Sequence, residues 1–203
     1  MQVFSIDAGL FKLDGGAMFG VVPKVLWQKA IPADENNLCT FSMRCLLIIE
    51  NEKKILIDTG MGDKQPDKFF NHYYPSGKKL LVSLKEKNVS PEDITDVILT
   101  HLHFDHCGGA VNRDLLPTFP NATYWTSREH WEWAIHPNAR EKASFLKENL
   151  LPLQEKGVLK FIDANKNGKT SFSDNIELLF VHGHTKSMML PIIQYKNQIL
   201  AYM

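Results

Sequence analysis

Runs rich in β-branched and aromatic residues at 2–6, 41–50 and 53–58 predict three β-strands, and the polar pair Asn51-Glu52 between the last two suits a hairpin turn. A mixed or antiparallel sheet begins there. Residues 77–87 place Leu80, Leu81 and Leu84 on one helical face with lysines opposite, and Ser90-Pro91-Glu92-Asp93 has the cap, proline and acidic first turn of a helix start. The pattern then switches. Residues 96–100 form a short continuous apolar run, the mark of a strand covered on both faces, and the run leads directly into His101. In open α/β sheets ligands collect at such carboxyl ends. Beyond Gly108-Gly109 the pattern predicts a short helix, a strand at 122–126 and helices at 128–135 and 139–154. Further strands are expected at 158–162, 176–182, 188–195 and 199–203. No internal repeat, low-complexity tract or linker interrupts the series, so a single domain over 1–203 is the economical reading.

Composition narrows the function classes. A chain of 203 residues buries a sizeable core without staples, and 44% hydrophobic with 23% charged residues is the balance of a folded domain. Lys+Arg and Asp+Glu both number 23, so no global field draws the chain to nucleic acid or to an anionic membrane surface. No apolar run approaches the roughly 20 residues of a spanning helix. Cys39, Cys45 and Cys107 are an odd set in a chain without a charged-then-apolar leader, which fits a reducing, cytoplasmic location.

The chemistry concentrates in Thr100-His-Leu-His-Phe-Asp-His-Cys-Gly-Gly109, where His101, His103, Asp105 and His106 fall within six positions. Alternation along an extended segment aims His101 and His103 the same way. Two imidazoles suit a borderline divalent ion such as zinc, and the added carboxylate and imidazole are enough to start a second site. The competing reading is a polar surface loop with incidental histidines. Further donors are offered by Val181-His-Gly-His-Thr185, at the end of an apolar strand.

Taken together, His101-x-His103-x-Asp105-His106, the later Gly183-His184-Thr185 and the earlier Ile57-Asp58-Thr59-Gly60 resemble the metallo-β-lactamase fold superfamily. The resemblance spans most of the chain. It implies a four-layer αββα sandwich, two mixed sheets face to face with helices outside. It also implies that His101, His103 and His184 bind one metal ion, that Asp105 and His106 begin a second site, and that Asp58 supports the ligand loop. Asp58 reads equally well as a strand-end residue capping the Thr59-Gly60 turn. His182, which precedes the glycine, is read as a supporting or strand-end residue. In the family a bridging aspartate and a last histidine follow a strand such as 199–203, so the resemblance implies a domain lacking its last strands and helix, with the second site partly encoded.

The stretch Asp14-Gly-Gly-Ala-Met-Phe-Gly-Val-Val-Pro-Lys-Val-Leu-Trp27 with Pro32-Ala-Asp-Glu35 is similar to the branch holding N-acyl-homoserine lactonases and methyl parathion hydrolases. Its Gly15, Gly16 and Gly20 suggest a loop at the mouth of the site, with Met18, Phe19 and Trp27 facing a substrate; packing on a core is the plainer role for each. The resemblance thus implies a hydrolase that uses a hydroxide held by two metal ions, zinc first with iron, manganese or cobalt as alternatives, on a lactone, ester or other small neutral substrate, with Asp105 as the catalytic carboxylate. Quorum quenching is the corresponding role. A phosphotriester hydrolase and a glutathione thioesterase are the alternatives on this fold, and a non-catalytic metal-binding protein is the alternative of another class. The expected partner is a small molecule, with a homodimer left open and neither nucleic acid nor membrane expected. Oxygen-reducing diiron members carry a glutamate where this chain has His103, which points to hydrolysis.

Three smaller features have plain readings. Residues 163–168 with Asp174 match part of a calcium-loop spacing, yet a strand leads in and a hairpin loop is favoured. Trp125, Trp131 and Trp133 with His130 and His136 could line a pocket, but core packing accounts for them more simply. Cys107 reads as a small buried thiol.

Overall fold

The computed structural model describes residues 1–203. In chain order it runs β1 (Gln2–Asp14), α1 (Gly15–Phe19), α2 (Lys24–Trp27), β2 (Leu38–Glu50), β3 (Lys53–Ile57), α3 (Asp67–Tyr73), α4 (Leu80–Lys85), β4 (Asp96–Ile98), α5 (Phe104–Cys107) and β5 (Thr123–Ser127). The chain continues through α6 (Arg128–Ile135), α7 (Lys147–Glu155), β6 (Leu159–Ile162), β7 (Lys169–Ser173), β8 (Ile176–Val181), β9 (Met188–Tyr195) and β10 (Gln198–Ala201).

The strands form two sheets, one in the order β1-β2-β3-β4-β5-β6 and the other in the order β10-β9-β8-β7. The first is mixed: β1, β2 and β3 pair antiparallel, and β3 through β6 pair parallel. The second is antiparallel throughout, not mixed as expected. Register explains the layering. Leu47, Leu56, Val97 and Tyr124 lie opposite one another across four strands and face α4, α6 and α7 through Leu84, Trp131 and Leu153. The alternate positions Ile48, Ile55, Ile57 and Ile98 face the second sheet at Leu178, Phe180, Met189 and Ile193. Each such side chain removed from water contributes roughly 1.5–3 kcal/mol, so this layer of 10 buried residues fixes how the sheets sit on one another. The helices pack on the six-stranded sheet. The outer face of the four-stranded sheet is open, with Leu179, Leu190 and Ile192 half-buried and Ile199 exposed. No helix is long and apolar enough to cross a membrane.

Several elements depart from the sequence expectations for local reasons. The first strand continues to Asp14 because a register shift between Asp7 and Leu10, at Gly9 with φ 111°, offsets its alternation. Residues 15–27 are two short helices rather than a loop, α1 being capped by the Asp14 carboxylate on Ala17 N. Helix α4 buries Leu80, Ser83 and Leu84 and leaves Leu81 exposed, since positions 80 and 81 are about 100° apart around a helix. Ser90–Asp93 forms its capping box on a single 3₁₀ turn, ended by β4 three residues later. After Gly108–Ala110 the chain turns around the Asn112 side chain without a helix, and the 139–154 stretch is α-helical only from Lys147. Strand β7 and helix α3 carry weak patterns and were not expected. Residues 163–168 are not the hairpin loop expected but the crossover from β6 in one sheet to β7 in the other, in which Asn165 bonds its own loop and Asp163 pairs with Arg128; the hairpin of this region is β7–β8.

Candidate metal centre

Because β3, β4 and β5 are parallel, their carboxyl ends open on one side of the sheet and deliver Asp58, Thr100-His101 and Ser127 there. The chain leaves β4 extended as far as His103 and then winds into α5, which carries Asp105 and His106. The end of β8 brings the 182–187 loop to the same place, and a backbone bond from Met189 N to Thr100 O (2.9 Å) ties the two sheets beside it.

His101, His103 and His184 meet there, each offering one ring nitrogen within 4.8 Å of the others. Nδ1 of His103 lies 3.1 Å from Nε2 of His184. An ion with metal–nitrogen bonds of about 2.0–2.1 Å in a tetrahedron separates its ligand nitrogens by about 3.4 Å, so the spacing fits. The donor chemistry fits as well: Nε2 of His101 is buried with no hydrogen-bond partner, a costly condition that a metal ion relieves. Burial, and then the neighbouring imidazoles, hold His101 well below the usual histidine range and push His103 down to about 3. His184 shifts the same way, with burial again the main cause. All three are held neutral, and a neutral imidazole carries a lone pair on one ring nitrogen, as a metal requires.

Asp58 organises the next layer. Its carboxylate is 2% exposed, on a residue with φ 59°. Oδ1 accepts from Thr100 N (2.9 Å), while Oδ2 accepts from Thr100 Oγ1 (2.8 Å), His106 Nδ1 (2.8 Å) and Tyr202 Oη (3.2 Å). His106 thus turns Nε2 toward Asp105, 3.4 Å away. Burial opposes protonation of His106, but Asp58 and Asp105 more than offset it and push its pKa up to about 9. Asp105, His106, Asp58 and Tyr202 line a cavity of about 110 Å³ together with Phe11 and Met43. The ring of His101 lies 4.0 Å from that of His106, so the cavity adjoins the three-histidine cluster.

The loop after Asp58 packs directly on the end of α5. Thr59 N donates to His106 O (2.7 Å) and Gly109 N to Gly60 O (2.9 Å). This approach requires glycine, since a Cβ on Gly108 would lie 2.1 Å from Met61 O and one on Gly109 2.2 Å from Thr59 O. Lys64 then reaches in to donate to Gly108 O and Val111 O, and burial pushes its pKa down to about 8.

The remaining candidate residues are placed differently. His182 is exposed and accepts from Ser187 N (3.2 Å), shaping the 182–187 loop. Met18, Phe19 and Trp27 sit on α1 and α2: Trp27 is buried over Gly15 and stacks on Phe19 at 4.7 Å, while Met18 is exposed. None of the three lines the cavity; Phe19 reaches it only through Phe41 and then Phe11. Asp105 and His106 lie beside the three-histidine cluster and not within it. One further group, Glu141, escaped the sequence reading, and another, His130, was assigned there to core packing. Glu141 accepts from Thr185 Oγ1 (2.7 Å) and Trp133 Nε1 (3.1 Å), and lies 3.9 Å from His103 Nε2. His130 is fully buried, its only sequence signal being a polar residue on the apolar face of α6. Cys107 is a buried thiol, as expected, with its pKa pushed up to about 12 by burial.

Comparison with known proteins follows the same lines. The sequence profile of the Metallo-beta-lactamase superfamily matches residues 44–187, a span that includes all five proposed ligand residues. An N-acyl homoserine lactonase of Bacillus thuringiensis is 26% identical over 152 residues, covering 70% of this chain and 54% of that protein. This chain spans about half the length of the curated relatives it matches. Among solved structures, a probable metal-dependent hydrolase from Staphylococcus aureus superposes with a TM-score of 0.89 at 27% identity, over 98% of this chain and 71% of that one. AidC, a dizinc quorum-quenching lactonase in complex with a product, superposes with a TM-score of 0.77 at 24% identity, over 98% and 69% of the two chains, which is a likeness of fold.

Proposed function

We propose, from the premise that this chain belongs to the metallo-β-lactamase superfamily, that it is a metal-dependent hydrolase acting on a lactone or related small neutral ester. The observation that carries this reading is the convergence of His101, His103 and His184, neutral and within 4.8 Å of one another. These three would hold one ion, and Asp105 with Nε2 of His106 would contribute to a second, with zinc as the leading metal. When bound, such ions supply a water ionised near neutral pH and polarise the carbonyl under attack.

The chain's own residues do the rest. Asp58 accepts a hydrogen bond from His106 Nδ1–H and so directs Nε2 toward Asp105, where it would become a ligand once its own proton is displaced by a metal ion. Asp105 accepts the proton of the attacking water at a carboxylate oxygen and returns it to the departing alkoxide. Phe11 and Met43 line the cavity beside Asp105, backed by the buried cluster of Met61 and Phe104. That apolar side suits an acyl chain, a reading supported by relatives named for acyl homoserine lactones. Three buried free thiols support a reducing, cytoplasmic setting.

Elemental analysis of the purified chain and a panel of lactone, phosphotriester and thioester substrates test this reading, with His103→Ala as control. Bound zinc and preferential lactone turnover, both lost in His103→Ala, are expected. Turnover unaffected by His103→Ala would overturn it, and preference for a phosphotriester would move the substrate class.

A further inference from the structure

The nitrogens of the metal centre come from two loops rooted in different sheets: His101 and His103 follow β4, and His184 follows β8. Holding one ion with all three requires a fixed separation between those loops. The Met189–Thr100 bond joins the sheets, but it lies before His101 and after His184 and leaves both loops free to spread.

His130, in the first turn of α6, lies between them and is 0% exposed. Its Nε2 accepts from Leu102 N at 2.8 Å, the peptide between the first two ligands. Its Nδ1 donates to Lys186 O at 2.6 Å, two residues past the third ligand. An amide N–H only donates and a carbonyl only accepts, so these partners fix the ring as the neutral tautomer protonated on Nδ1. The same turn of α6 grips the second loop twice more, through Ser127 Oγ on Ser187 Oγ (2.8 Å) and Glu129 on Lys186 Nζ (3.0 Å). An apolar side chain would fill this helix position without the desolvation that a buried imidazole incurs, so packing alone does not account for histidine here.

We propose that His130 is a positioning residue that sets the affinity of the centre for its ion by clamping the two ligand loops together. This rests on the reading of His101, His103 and His184 as a metal centre. Zinc titration in competition with a chromophoric chelator tests it, on the wild-type chain and on His130→Leu, His130→Gln and His130→Asn. Circular dichroism of each metal-free protein reports folding separately. In His130→Leu, which keeps neither bond, the zinc affinity should fall roughly 10–100-fold while the metal-free spectrum stays native. The Gln amide reaches Leu102 N and the Asn amide reaches Lys186 O, so each keeps one bond and should bind with intermediate affinity. A folded His130→Leu with wild-type affinity would overturn the proposal. Should that variant not fold, wild-type affinity in both amide variants would do so. Failure of the wild-type chain to bind zinc would instead remove the metal-centre reading, and this proposal with it.

Discussion

Oδ2 of Asp58 lies 2.8 Å from Nδ1 of His106, and this contact decides which nitrogen of His106 faces the cavity it shares with Asp105. The sequence offered two roles for Asp58, capping a turn or supporting a ligand. The structure gives it four hydrogen-bonding partner atoms on Thr100, His106 and Tyr202.

Asp58→Asn keeps the size of the side chain and tolerates the positive φ, but its amide can donate to Nδ1 and reverse the tautomer of His106. We expect roughly 10–100-fold weaker binding of the second metal equivalent, with little change in folding. Asp58→Ala, which also leaves Thr100 and His106 unpaired in a buried site, should cost roughly 2–4 kcal/mol of stability by urea denaturation.

Metal-free protein should be most stable slightly below neutral pH. His103 and His130 have folded pKa values of about 3 and about 4, against 6.5 for the unconstrained ring, both lowered chiefly by burial. Their neutral forms are favoured by folding, so stability present above 6.5 is lost as pH falls toward those values. His106, pushed up to about 9, acts oppositely: its contribution is complete below 6.5 and is lost as pH rises through about 9. Thermal melts in chelator across pH 4 to 8 should show both flanks; a flat profile between 6.5 and 8 would contradict the His106 assignment, whereas above about 8 the lowered pKa of Lys64 adds stability in the opposite sense.

Gly109→Ala sets a methyl group against Thr59 O at 2.2 Å, a backbone atom that cannot move without shifting the loop after Asp58. We expect a loss of about 2–4 kcal/mol or failure to fold, and reduced metal content in whatever folds. Gly183→Ala, whose Cβ meets nothing within 4 Å, is the matched control and should be close to neutral.

Glu141 links the two ligand loops from a third direction, since it accepts from Thr185 beside His184 and faces His103 at 3.9 Å. Glu141→Ala, which removes the acceptor of Thr185 Oγ1, should weaken zinc binding as read by chelator competition. Glu141→Gln, which can still accept from Thr185 and Trp133, should lose less. Equal affinity in both variants and wild type would assign Glu141 to packing alone.

Much of the fold was legible because it rests on local pattern. The apolar run into His101 became β4, with all three of its residues buried, and 128–135 became α6 with Ser127 as its cap. What stayed hidden had either a weak pattern or a tertiary cause. The serine- and lysine-bearing Lys169–Ser173 forms a strand only because β8 pairs with it, and Leu81 faces solvent because α4 lies on β1 through the opposite side.

The same division holds at the site. The sequence by itself determined the types of the candidate ligands and their grouping, because the spacing of His101, His103, Asp105 and His106 is a local property that any extended segment leading into a helix expresses. Tertiary structure alone decided which nitrogen each ring presents, and which carboxylate and imidazole hold the loops in place. Those contacts join residues far apart in the chain: 28 positions for His130 with Leu102, 48 for His106 with Asp58 and 81 for His103 with His184. No periodicity encodes such pairs. They exist because burial between two sheets leaves each polar atom only the partners that folding brings within reach.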